Sequence, residues 1–350
     1  LKSNRTVHFF RAHRRACAHL CEHVGFLPIA RASGQMQLMS APASRAADVR
    51  PSVVVPGNHD GVHVGHRALI TLARERFGAR GLDVVALTFD PHPLATVAPE
   101  RAPTPLTTIA RRIELLRAAG ADRVEVARFD AGYAAQTAEE WITGELAGRL
   151  GARAVVVGVD FRFGKGRGGD LESLRALGAS RGIEVEALGE VLLAGTGERV
   201  SSTAVRRALG AGEVELAHAL LGRAHTVDGV VVHGDHRGRT IGFPTANLAP
   251  DPILLPADGV YAVRMRVGER WIDGVANVGT RPTFAAGRSL ETHLFDFEGD
   301  LYGQPARLAF VARLRAEQKF GGIEALVAQI RHDVEAAHAA LARRPRGDEP

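Results

Sequence analysis

The chain has 350 residues, room for two ordinary domains that can each bury a core. Hydrophobic residues make up 45% and charged residues 24%, and no apolar run approaches the roughly 18 residues a membrane-spanning helix needs, so a soluble globular protein with no membrane partner is expected. The net charge of +5 is misleading: residues 1–50 hold eight Lys/Arg against Glu22 and Asp48, a balance of +6, which leaves −1 for the remaining 300. A body without a basic surplus is not expected to bind nucleic acid.

The basic stretch has no clear period. Residues 1–49 are expected to be a disordered basic extension, with Met36 and Met39 as candidate later starts. It is Arg-rich and poor in acids like a transit peptide, yet lacks the apolar centre of a secretory signal. Cys17 and Cys21 are the only cysteines, so the body has neither a disulfide framework nor a Cys-rich zinc module. A reducing, cytoplasmic setting is the expectation.

From residue 51 the pattern alternates. "SVVV" reads as a buried strand, "RALITLARERFGARG" as a helix closed by Gly81, and "LDVVALTF" as a second strand. "TTIARRIELLRAAGADRVEVARF" places Ile109, Ile113 and Leu116 at helical spacing and then runs into a strand, and "AEEWITGELAGRLGARAVVVG" repeats that order. Such alternation predicts a doubly wound, Rossmann-like α/β layer. After residue 210 come short strands broken by Gly, Pro and Asp: "DGVVVHG", "GVYAVRMRV", "ERWIDGVANVG", "LETHLFDF" and "ARLAFVARL". They predict an antiparallel β-barrel. A last helix, "IEALVAQIRHDVEAAHAALA", carries Ile323, Leu326, Val327, Ile330, Val334 and Leu341 as one apolar stripe to pack on the sheet. The expected segments are 1–49, an α/β domain over 50–208 and a barrel domain over 218–343.

Chemistry is expected where strands end. "GNHDGVHVGH" follows the first strand and opens a helix, so backbone N–H groups and the imidazoles of His63 and His66 suit a phosphate. Metal ligation by His59, His63 and His66 is the rival, and ordinary surface histidines the bland alternative. Three further stretches sit at later strand ends: "TFDPHP", "DFRFGKGRGGD" and "VSSTAVRRAL". Phe161 and Phe163 offer stacking, and Ser202 or Thr203 can cap a helix with Arg206 behind it, although alone these read as a flexible loop and a plain cap. Taken together the four stretches point to a nucleotide site. In the barrel, "HGDHRGRTIGFPTANL" supplies Gly234, Gly238 and Gly242 for close backbone approach, with Thr245 and Asn247 as neutral oxygen ligands for Mg²⁺. It is not a Walker A loop, and a glycine-rich barrel turn is the alternative.

These motifs resemble those of the prokaryotic bifunctional riboflavin kinase/FAD synthetases, or FMN adenylyltransferases, from about residue 52 to about residue 337. The resemblance is carried by "GNHDGVHVGH", "TFDPHP", "DFRFG" and "SSTAVR", then by "GRTIGFPTANL", "GVYAV", "NVGTRPTF" and "ETHLFDF". One departure stands out: His59 occupies a position where the family usually has Phe.

The resemblance implies an FMN adenylyltransferase domain over 50–208 and a riboflavin kinase domain over 218–343, with ATP, riboflavin and FMN as substrates and Mg²⁺ as cofactor. It makes His63 and His66 hydrogen-bond donors to the phosphates during adenylyl transfer and Glu291, on one strand face with His293 and Phe295, the base that accepts the hydroxyl proton. For ATP and its phosphates it implies Gly57, Asn58, Asp160, Ser202, Thr203 and Arg206 in the first half, and Gly234, Gly238, Arg239 and Gly242 in the second. Flavin contacts fall to Asp90, Pro91, His92, Phe161 and Phe163, and the metal to Thr245 and Asn247. Weak homo-oligomerisation is compatible with this reading. A kinase-only protein, its first half silenced through His59, is the alternative.

Overall fold

The computed structural model describes residues 50–234, 237–280 and 288–344. The expectation for residues 1–49 and the "RPTF" part of "NVGTRPTF" lie outside them, as do the side chains of Arg237 and Arg239.

In chain order the first half runs β1 (Ser52–Pro56), α1 (Val64–Phe77), β2 (Asp83–Asp90), α2 (Pro93–Val97), α3 (Ile109–Ala118), β3 (Arg123–Arg128) and α4 (Ala131–Ala134). It continues with α5 (Ala138–Glu140), which passes into a π-helical stretch at Trp141–Arg149, then β4 (Ala152–Gly158), α6 (Leu171–Ala179) and β5 (Glu184–Leu188). Two helices follow, α7 (Ser202–Ala211) and α8 (Val214–Leu221). The second half comprises β6 (His225–Val232), α9 (Arg237–Thr240), β7 (Ala246–Pro250), β8 (Gly259–Val267), β9 (Arg270–Thr280), β10 (Arg288–Leu294), β11 (Pro305–Arg315) and α10 (Ile323–Ala342).

The five strands β1 to β5 form a parallel sheet in the order β3-β2-β1-β4-β5. "SVVV" has no polar side because both faces of β1 are covered. Val53 and Val55 meet Ile70 and Phe77 of α1 and Leu116 of α3, while Val54 meets Trp141, Ile142 and Leu146 on the opposite face. The strand order reverses between β1 and β4, so the loops after those two strands diverge and open the crevice where ligands settle in this architecture.

The six strands of the second half close into an antiparallel barrel, β10-β7-β6-β11-β8-β9. Its interior, with Val263, Met265, Leu308 and Phe310, shares one core with Val205 and Leu209 of α7 and Leu220 and Leu221 of α8. Those two helices thus pack on the barrel as well as ending the first half.

The α10 stripe is corrected in its first turns. Val334 and Leu341, with Ala337, pack on Val260, Val275 and Phe295, but Ile323 is 68% exposed. Asp333 is buried instead, because Arg315 pairs with both its oxygens at 2.8 and 2.9 Å.

Candidate active sites

The loop after β1 turns sharply. His59, Gly61 and Val62 all have positive φ, at 49°, 81° and 40°. A left-handed valine is costly, and such strain persists only where the surroundings over-determine it. Here a Cβ on Gly61 would lie 2.8 Å from the Leu106 side chain, so the backbone itself is packed.

Three imidazoles occupy this turn. The His63 and His66 rings stack at 3.6 Å, and His59 meets His66 edge-on at 4.9 Å. His59 is fully buried with Nε2 against the Val55 carbonyl at 3.0 Å, which makes Nε2 the protonated nitrogen and leaves Nδ1 without a hydrogen-bond partner. The slot that an apolar ring would fill is thus filled by a neutral one that has found a carbonyl. The His63 Nδ1 accepts the His66 N–H at 3.3 Å and caps α1, which places the proton of the neutral ring on Nε2. Burial pushes His59 down to about 4 and His63 to about 3, and holds His66 well below its usual range. All three are therefore neutral at pH 7, and the uncharged His63 ring has its proton on Nε2. Stacked rings do not converge on one point, and no group of three or more His, Cys, Asp or Glu among the described residues could hold a metal. The metal reading of the histidines is set aside on that geometry.

Asp60 organises the surroundings. Only 1% exposed, it accepts from the N–H groups of Leu106 at 3.0 Å and Thr107 at 3.2 Å, from Arg112 at 3.3 Å, and from Arg206. Arg112 also donates to the Thr88 hydroxyl and the Phe89 carbonyl, each at 3.2 Å. The "SSTAVR" stretch converges on the same point: the Ser202 hydroxyl donates to the Asp60 carbonyl at 2.8 Å, and Arg206 Nε to the Thr104 carbonyl at 3.0 Å. The cap of α7 is Ser201, accepting from Ala204 N–H at 3.1 Å, and not Ser202 or Thr203 as expected. Ser202 is drawn away by the Asp60 carbonyl, and Thr203 is exposed.

Asp60 and Arg112 were not anticipated. An Asp before Gly reads as an ordinary turn. The available signal for Arg112 is its place four residues before Leu116, on the buried face of α3.

Gly57 packs on the His59 ring, where a Cβ would come within 3.0 Å, and Asn58 has a buried Oδ1 without a hydrogen-bond partner. Asp160 lies exposed just after β4, at the reversal of strand order, paired with Arg199. Asp90 and His92 line a cavity of about 250 Å³ that also touches Asp60, Phe89, Arg112 and Ile253; His63 and His66 are not among its walls. Pro91 is exposed beside them. His92 caps α2, its Nδ1 accepting from Leu94 N–H at 3.1 Å. Phe163, 6% exposed, lies in the core beside Trp141 at 5.1 Å and Phe161 at 5.7 Å, so of the two expected flavin contacts only the half-buried Phe161 is open to solvent.

In the barrel, Glu291 is directly opposite Asn247 on β7 and Asn277 on β9, half-buried on the outer face that it shares with His293 and Phe295. Gly234 lies against the Asn247 amide, where a Cβ would be 2.1 Å from Nδ2. Gly238 is required on the same ground: its Cβ would sit 2.2 Å from the Phe243 carbonyl. Gly242 has φ 87° and stands exposed. A cavity of about 540 Å³ is lined by Thr245, Thr292, Phe297, Glu298, Asp300 and Tyr302 among others. Asn247 and Glu291 are not among its walls, so the expected metal pair, Thr245 and Asn247, is only half within it.

With this geometry in view, the comparisons are specific. The FAD synthetase family matches residues 45–204 and the riboflavin kinase family residues 221–341. The Bifunctional riboflavin kinase/FMN adenylyltransferase of Escherichia coli K12 is 43% identical over 283 residues, 80% of this chain and 90% of its own. The proteins of that description from Pseudomonas fluorescens and Bacillus subtilis are 40% and 36% identical, over 88% and 82% of this chain and 98% and 91% of theirs. A crystal structure described as a macrolide-efflux protein from Streptococcus pneumoniae superposes with a TM-score of 0.75 at 31% identity, covering 83% of this chain and 94% of that one. No helix among the described residues is long and apolar enough to cross a membrane. This chain belongs to the bifunctional riboflavin kinase/FMN adenylyltransferase family.

Proposed function

We propose that the chain makes FAD from riboflavin in two ATP-dependent steps, one in each half. The barrel half phosphorylates riboflavin to FMN. The α/β half transfers the adenylyl group of ATP to FMN and releases pyrophosphate. The observation that carries this reading is that both family matches lie in one chain, on an α/β sheet and on a closed barrel. Relatives matched across both halves bear the bifunctional description, which favours two activities over a kinase alone.

In adenylyl transfer the FMN phosphate attacks the α-phosphorus of ATP, and no covalent protein intermediate is needed. The assignment of His63 and His66 rests on neutral imidazoles at the start of α1, whose first N–H groups precede the helix's own ladder. Arg206 commits Nη2 to Asp60 and Nε to Thr104, so a phosphate would meet its remaining Nη1. Gly57, Asn58, Asp160, Ser202 and Thr203 complete the proposed ATP contacts. Asp90, Pro91, His92 and Phe161 are proposed for the flavin.

In the kinase step Glu291 takes the proton of the ribityl terminal hydroxyl as that oxygen attacks the γ-phosphorus of ATP and ADP leaves. Gly234, Gly238, Arg239 and Gly242 are proposed to hold the phosphates. Thr245, just before β7, and Asn247, its second residue, suit a small hard cation that takes few protein ligands besides phosphate. Bound Mg²⁺ would supply neutralisation of phosphate charge. A cytoplasmic setting and weak self-association belong to the same proposal, and fractionation and sedimentation test them.

Incubation with riboflavin, ATP and Mg²⁺, followed by separation of flavins, should show FMN first and FAD after it. FMN that accumulates without FAD would refute the adenylyltransferase half of the reading.

A further inference from the structure

The cavity beside Asp90 and His92 is not walled by one half alone. Pro252 and Ile253, which follow β7 of the barrel, close its far side. That segment is held on both flanks: Asp251 N–H donates to the Asp228 carbonyl at 2.8 Å, and Leu254 N–H to the Pro105 carbonyl of the α/β half at 2.8 Å. Ile253 is nearly buried and shares a core cluster with Leu106, the residue whose N–H is bound by Asp60. A second tie lies close by. Arg307 on β11 donates to Asp228 at 2.5 Å and reaches Glu114 of α3 at 3.1 Å. The position of Ile253 relative to Asp90 and His92 is thus fixed by contacts on either side of it.

We infer that Ile253 of the barrel half is a specificity-determining residue of the adenylyl-transfer site, pressing with Pro252 on the ring system of FMN. The inference rests on the reading above that Asp90 and His92 face the flavin. At about 250 Å³ the cavity is smaller than the roughly 300–1,000 Å³ of pockets that enclose a drug-sized ligand, so it takes part of the substrate. Its walls suit the flat end. Phe89, Ile109 and Ile253 offer apolar surface to a fused ring, and Thr107, His92 and Arg112 offer polar groups to its carbonyls and imide. The kinase half therefore completes the adenylylation site.

The test uses the full chain with Ile253→Trp, which fills the cavity, and Ile253→Ala, which enlarges it. FMN adenylylation is measured with FMN and ATP varied separately. Riboflavin phosphorylation by the same preparation reports that the barrel is folded. Ile253→Trp is expected to raise KM for FMN about tenfold, with KM for ATP within about twofold and kcat within about threefold. Ile253→Ala should raise KM for FMN about threefold, and both variants should phosphorylate riboflavin at the parental rate. A KM for FMN within about twofold of the parent in both variants overturns the proposal. So does an equal rise in KM for ATP, which would give the cavity to adenine. If Ile253→Trp loses both activities it has not folded, and Ile253→Ala alone then decides. A parental chain that makes no FAD refutes the underlying reading itself.

Discussion

Asp60→Ala probes the point on which loop, α3 and α7 converge. The substitution leaves the Arg112 and Arg206 guanidiniums facing each other without their shared anion, and strips the N–H groups of Leu106 and Thr107 of their acceptor. Arg112 has a side chain only 4% exposed, so water cannot readily replace the carboxylate. Removing one partner of a buried ion pair costs about 3–5 kcal/mol because the remaining charge is uncompensated. At roughly 2–4 °C per kcal/mol for a domain of this size, the first thermal transition should fall by about 6–20 °C. Asp60→Asn keeps an acceptor oxygen and the side-chain shape but loses the charge, so its cost should be smaller, about 1.5–3 kcal/mol. Both variants should lose FAD formation more than FMN formation, since Ser202 and Arg206 bond to Asp60 directly, whereas the barrel meets it only through Leu106 and the packing of α7. Calorimetry with flavin chromatography on the same samples provides the measurement. An Asp60→Ala protein that melts within about 1 °C of the parent and makes FAD normally would refute the reasoning.

Acid should destabilise the fold through its neutral histidines. The folded-state values of His59, His63 and His225 lie at about 4, 3 and 4, below the unfolded value of about 6.5, so the unfolded chain binds more protons between those limits. Their contribution is complete above pH 6.5 and is lost as pH falls towards 4, which urea titrations at pH 7, 6 and 5 will show as a decreasing midpoint. Stability unchanged over that range would contradict the burial. His59→Phe trades a bond to the Val55 carbonyl for removal of an unpartnered buried nitrogen, so it should change stability by no more than about 1 kcal/mol and flatten that pH slope. FAD formation by this variant should stay within about threefold of the parent; a larger loss would make the imidazole itself part of the chemistry. Asn247→Ala should raise the Mg²⁺ concentration needed for FMN formation while leaving FAD formation from FMN unaffected. An unaltered Mg²⁺ dependence would remove Asn247 from the metal site.

Much of the fold was legible because burial is written into residue type. β1, β2 and β4 are apolar runs with both faces covered, and the barrel strands β8, β9 and β11 stand between clear turn residues. β7 was not legible: "ANLAP" is short and ends in Pro250, and its place between β6 and β10 comes from long-range pairing. The gap left between the two expected domains, residues 209–217, cuts across the end of α7 and the start of α8, whose apolar faces are buried because the barrel supplies the partner. The same limit governs the site. His63 and His66 were singled out by spacing and stay a proposal for the phosphate site, whereas the Asp60 network could not be read, since it depends on Arg112 and Arg206, 52 and 146 residues away. Phe161 and Phe163 look alike in sequence, and Trp141, brought in by the π-helical stretch, is what takes Phe163 into the core.

A crossed assay of Glu291→Gln and His66→Ala asks most plainly whether one chain holds two ATP-using sites with separate catalytic residues. Glu291→Gln supplied with FMN and ATP should release pyrophosphate and form FAD at the parental rate while making no FMN from riboflavin. His66→Ala should form FMN at the parental rate and lose FAD formation by about 10²–10³-fold. If either substitution stopped both reactions, or neither, the assignment of one site to each half would be contradicted.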